Sequence, residues 1–122
     1  MQCLTHVMRL ILVTLLLMVA APVSATLVNV DKDFCDGYAL MAKAGSEAKQ
    51  RGESKQQWQA QLQALRGYVV KNKDNVLYSV LPKVITDSEL NWGKKLTPLD
   101  RYITTYNTCM ADDYGKVVAA AD

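Results

Sequence analysis

Thr97-Pro98-Leu99-Asp100-Arg101-Tyr102-Ile103-Thr104-Thr105-Tyr106-Asn107-Thr108-Cys109-Met110 is the stretch on which the fold class turns. Thr97 offers a hydroxyl to the unpaired amides of a first helical turn. Pro98 suits the position after it, where its missing N–H is no loss. Asp100 sets a negative charge at the positive end of the helix dipole. Leu99, Tyr102, Ile103, Tyr106, Cys109 and Met110 then recur at three- and four-residue spacing, which is one side of a helix. Tyr114 or Gly115 is the expected end. The helix matters beyond itself because it carries Cys109, and the cysteine available to pair with it is Cys35, near the opposite end of the domain.

Cys35 belongs to a first helix, capped by Asp31 or Asp33, in which Phe34, Tyr38, Met41 and Ala42 share a face. Ala39, Ala42, Ala44, Gly45 and Ala48 are small enough to let another helix approach closely. Gly52 is a natural stop. Ser54-x-x-Gln57 is a capping box opening a second helix, with an apolar stripe of Trp58, Leu62, Leu65 and Val69. Its glutamines (Gln56, Gln57, Gln59, Gln61, Gln63) lie largely off the stripe and suit a solvated face. Asp74 or Asn75 caps a third segment with Leu77, Leu81, Val84 and Ile85 on its stripe. Pro82 lacks an amide proton and clashes with the carbonyl four residues back, so a kink or split is expected there, with Asp87 recapping a short piece from Ser88 to Trp92. Leu90 and Trp92 are expected over one end of the core. Residues 26–30 read as an extended lead-in, and no strand pair or repeat is expected. The tail from about Val117 is expected to fray. The expected fold is all-α: an irregular bundle of four to five short helices stapled by one disulfide, Cys35–Cys109. That bond closes a loop of 75 residues, for which chain entropy gives about 4 kcal/mol.

Ahead of the domain, residues 1–25 read as a secretory signal. Arg9 gives a positive start, Leu10 to Ala20 form an apolar run broken only by Thr14, and Val23-Ser24-Ala25 supplies the small-x-small pattern before a cut. The run is shorter than the roughly 20 apolar residues that span a bilayer. Met8 is an alternative start. A single domain over residues 26–122 is expected, in a periplasmic or secreted setting where disulfides persist. Cys3 leaves with the signal, and the even pair that remains reads as a structural staple rather than a redox couple, which would favour Cys-x-x-Cys spacing.

Of the 122 residues, 97 remain after the cut, with 13 Lys and Arg against 12 Asp and Glu. That balance points away from a nucleic-acid partner, which calls for a basic excess. The one histidine, His6, falls in the signal. Its loss removes Ser-His and Cys-His catalysis, histidine-ligated metal and a histidine pH switch. No cofactor and no metal are expected. Asp31, Asp33 and Asp36 imitate the start of a calcium loop, but Asp36 stands where the EF-hand needs glycine and Ala42 where it needs glutamate. Paired carboxylates can hydrolyse glycosides without histidine. Asp36, Glu47, Glu53, Asp87, Glu89 and Asp100 are the candidates, and none has a context that marks it out, so no catalytic residue is assigned. Six tyrosines and two tryptophans against one phenylalanine favour aromatic side chains at the rim of the core, where they can also anchor a protein partner. Trp58, Trp92 and Tyr114 are the expected anchors.

Phe34-Cys35-x-x-Tyr38, the run from Ala42 to Gly52 ending Ala-Lys-Gln-Arg-Gly, and Tyr102-x-x-x-Tyr106-x-x-Cys109 together resemble the small, one-disulfide, all-helical envelope proteins of Gram-negative bacteria. Some proteins of that build are periplasmic immunity proteins that plug the active site of a delivered cell-wall amidase. Others are small acid-stress chaperones. The resemblance implies an exported, non-enzymatic protein that binds another protein as an inhibitor or immunity-like factor. The alternatives are an envelope-stress chaperone or a carboxylate-dependent cell-wall hydrolase.

Overall fold

The computed structural model describes residues 25–122. The expected signal, residues 1–25, lies outside the described residues except for Ala25. In chain order the elements are β1 (Leu27–Asn29), α1 (Lys32–Gln50), α2 (Lys55–Lys71), α3 (Val76–Asn91), α4 (Pro98–Asp112) and β2 (Val117–Ala119). The fold is all-α with one small strand pair. No helix of the described residues is long and apolar enough to cross a membrane.

The helix starts follow from local side-chain chemistry. Asp31, not Asp33, caps α1, its Oδ1 accepting from the Phe34 amide at 2.8 Å. At α2 the capping box is complete: Ser54 Oγ accepts from the Gln57 amide at 3.1 Å, and Gln57 Oε1 accepts from the Ser54 amide at 2.7 Å. Asn75, not Asp74, caps α3. Thr97 Oγ1 accepts from the Asp100 amide, with Pro98 in the first turn of α4. Gly52 takes φ +87° just after α1, a left-handed turn that other residues resist. Helix α4 ends at Asp112, two or three residues before the expected stop, and Gly115 (φ +83°) then turns the chain into β2.

Helix α3 departs from expectation. It neither splits at Pro82 nor restarts at Asp87 but runs unbroken for 16 residues. The carbonyl that Pro82 cannot serve is that of Tyr78, four residues back. It accepts instead from the Ala121 amide at 2.9 Å, so the orphaned acceptor is satisfied from outside the helix. The same bond corrects the frayed tail. Residues 117–119 pair antiparallel with 27–29, in the register Leu27 with Ala119, Val28 with Val118 and Asn29 with Val117. Ala120 and Ala121 are buried against the core. Strands of three residues, about ninety positions apart, leave no periodicity for a sequence reading to detect.

Helix α1 sits at the centre. It runs antiparallel to α4, joined near its start by the Cys35–Cys109 disulfide, with Cα atoms 5.6 Å apart, and near its end by Ser46 Oγ donating to the Leu96 carbonyl at 3.1 Å. Helix α3 packs on another side of α1, and α2 packs mainly on α3. Phe34, Cys35, Ala39, Ala42 and Ala48 of α1 meet Leu62 and Val69 of α2 and Tyr78, Val80, Leu81 and Val84 of α3 in one core, closed by Val30 and the C-terminal alanines. Leu90, expected over this core, points to solvent instead.

Candidate functional site

Of the three expected anchors, Trp58 and Trp92 come together and Tyr114 stands apart. Trp58 is 7% exposed. Its indole lies so close to Gly45 that a Cβ there would sit 3.1 Å from Nε1. It is a core residue filling the notch that glycine leaves in α1, which corrects its reading as a partner anchor. Trp92 is half-buried at the same end of the molecule, and its carbonyl accepts from Lys49 Nζ at 2.7 Å. Both tryptophans line a cavity of about 30 Å³ shared with Asp87 and Arg101, which holds a water or two and no larger ligand. Tyr114 stands at the opposite end of the bundle, 59% exposed.

Behind the cavity is a polar cluster that ties α3 to α4. The Arg101 guanidinium donates to Asp87 Oδ2 at 2.5 Å, and Asn91 Nδ2 donates to Asp87 Oδ1 at 2.8 Å. The Asp87 and Arg101 side chains are each 11% exposed. Burial first, and the Asp87 carboxylate second, hold the nearby Tyr38 hydroxyl far above the ordinary phenol range. Lys83 stands over the Tyr38 ring, 5.8 Å from its centre, and pairs with Asp113. Every charge in this cluster has an opposite partner, as a buried charge must. The arrangement fastens helices together.

Four of the other five candidate carboxylates are also engaged, Asp100 having only its backbone amide bonded, to Thr97. Asp36 accepts from the Tyr102 hydroxyl, Glu53 pairs with Arg51, and Glu47 pairs with Lys43. Glu89 accepts from Gln59 and Lys55, which lower its pKa, Gln59 most. That is the wrong direction for a general acid. Among the described residues no group of three or more His, Cys, Asp or Glu is placed to hold a metal ion, and both described cysteines are in the disulfide.

The outer flank of α4 groups exposed aliphatic side chains with stacked tyrosines. Thr105 and Cys109 face inward and are buried. Tyr102 and Tyr106, one turn apart, stack with ring centres 6.1 Å apart and planes inclined by 11°. Both are half-buried, and Asp36 raises the Tyr102 pKa by accepting a hydrogen bond from its hydroxyl. Leu99 and Ile103 lie on the flank beside them, 62% and 45% exposed. Positions 99, 102, 103 and 106 share one side of a helix. Leu40, also exposed, is one turn along α1 from Asp36 and so on the side of α1 that meets Tyr102. Single exposed leucines are ordinary, but aliphatic side chains grouped with tyrosines are the composition of a protein contact. Sequence reasoning placed Leu99, Tyr102, Ile103 and Tyr106 on one stripe and expected tyrosines at the rim of the core, but it did not foresee the exposure of Leu99, Ile103 and Leu40. The exposure of Leu99 and Ile103 is decided by the narrow footprint of α1, whose contact side on α4 is lined by Thr105 and Cys109.

No protein-family model, no curated protein and no solved structure matches this chain.

Proposed function

We propose that the chain is exported to the periplasm or beyond, is cut after Ala25, and acts without catalysis by binding another protein as an inhibitor or immunity-like factor. The observation that carries this reading is the α4 flank, where exposed Leu99 and Ile103 adjoin the stacked Tyr102 and Tyr106. Tyrosines are among the side chains that supply most of the energy of a protein contact, and the aliphatic neighbours add apolar area around them. The disulfide supports an oxidising location, and it fixes α4 to α1 so that the flank is presented without an ordering penalty. The engagement of five of the six candidate carboxylates, all but Asp100, weighs against the hydrolase. Tyr114, exposed beyond the end of α4, remains a candidate contact at the rim.

Affinity capture tests the proposal. Oxidised protein, purified after export from the full chain and incubated with envelope extract, is expected to return one stoichiometric partner. A broadly mixed eluate, with suppression of client aggregation, would favour the stress-chaperone reading. Clearing of peptidoglycan by the wild type, lost on carboxylate substitution, would overturn the non-enzymatic reading.

A further inference from the structure

The Thr26 backbone is gripped on both sides by the C-terminal tail. Its nitrogen donates to Asp122 Oδ2 at 2.8 Å, and its carbonyl accepts from the Ala120 amide at 2.8 Å. Asp122 Oδ1 accepts from the Tyr78 hydroxyl, Lys73 Nζ stands 4.0 Å away, and Arg66 donates to the Asp122 main-chain oxygen at 2.8 Å. Asp31, Asp33 and Asp74 line the same open groove as Thr26. The charged group in contact with the Thr26 nitrogen is thus the Asp122 carboxylate, and the groove that Thr26 lines carries three more carboxylates and Lys73, a setting that favours a new positive charge. Thr26 is also the residue that follows the small-x-small pattern Val23-Ser24-Ala25.

We propose that Ala25–Thr26 is a processing site whose cleavage completes the fold, the new α-ammonium of Thr26 pairing with the Asp122 carboxylate to latch β1 onto the tail. The inference rests on the export reading above. Hydrolysis by an export-associated peptidase consumes one water, leaves a carboxylate on Ala25 and a primary amine on Thr26, and the amine takes up a proton at neutral pH. The Thr26–Asp122 hydrogen bond, charged until then only on the carboxylate, becomes an ion pair with a charge on each partner. A cut even one residue earlier moves the charge away by about 3.5 Å and leaves the amide in place.

The full chain expressed for export supplies the test. The intact mass of the purified oxidised product reads its N-terminus, and NMR follows titration of the terminal amine in wild type and in Asp122→Asn. The expected product begins at Thr26, with the amine titrating above the ordinary α-amino value of about 8 and returning to it in the variant. A Thr26 terminus titrating in the ordinary range in the wild type overturns the latch while leaving the export reading intact, and this wild-type midpoint decides the matter even where the variant fails to fold. A different terminus overturns the processing site itself, and with it the cut after Ala25 proposed above, though not export as such. Neither result bears on partner capture through α4.

Discussion

The Asp122 carboxylate accepts from the Tyr78 hydroxyl and the Thr26 nitrogen, and these two bonds, Tyr78 foremost, lower its pKa to about 2. A carboxyl that ionises more readily folded than unfolded stabilises the fold above its unfolded value, near 3.9, and loses that contribution as pH falls through the folded one. Wild-type unfolding free energy is expected to drop between about pH 4 and pH 2 more steeply than that of Asp122→Asn. Parallel slopes in denaturant titrations across that window would contradict the assignment. At Asp87 the expectation is larger, because the group is nearly buried. Asp87→Ala leaves the Arg101 guanidinium without its partner and is expected to destabilise by about 3–5 kcal/mol in urea unfolding, whereas replacing both residues with apolar ones loses less. Legibility at this scale was uneven. Trp58 stood on an apolar stripe in plain view, yet its role depended on Gly45 of another helix, a relation that no single-helix pattern contains.

Among the elements, the caps were the most readable features because each is a contact within three or four residues: Ser54 with Gln57, Thr97 with Asp100. Pro82 was misread for the opposite reason. Its local effect was judged correctly, a carbonyl at Tyr78 with no donor, but the donor that rescues it comes from Ala121, far along the chain. This arrangement makes a specific prediction. Pro82→Ala restores an amide within α3 that competes for the Tyr78 carbonyl. Native-state hydrogen exchange is expected to show the Ala121 amide losing protection while α3 gains it. Unchanged protection at Ala121 would show that the tail is held by the strand pair and Asp122 alone. The strand pair escaped notice because three residues on each side carry no usable alternation, and because the expectation of a loose tail gave β1 no partner.

For the molecule as a whole, the fold class was legible because two signals agreed: four helical stripes with readable starts, and one cysteine pair whose closure brings the first and last helices together. The candidate face was legible only in part. The sequence showed a continuous apolar stripe on α4, but a stripe broader than the neighbouring helix can cover must spill onto the surface, and how far it spills is set by packing. Leu99 and Ile103 are the part left over. The central claim is that this remainder is the working surface. The most direct test compares capture from envelope extract by the oxidised wild type and by Leu99→Asp/Ile103→Asp, with circular dichroism and unfolding as checks that the exposed substitutions leave the fold intact. Removing two interface anchors is expected to weaken binding by roughly 2–4 kcal/mol, about thirtyfold or more, so the stoichiometric partner should vanish from the variant's eluate. A folded variant that retains the partner at wild-type levels would contradict the account.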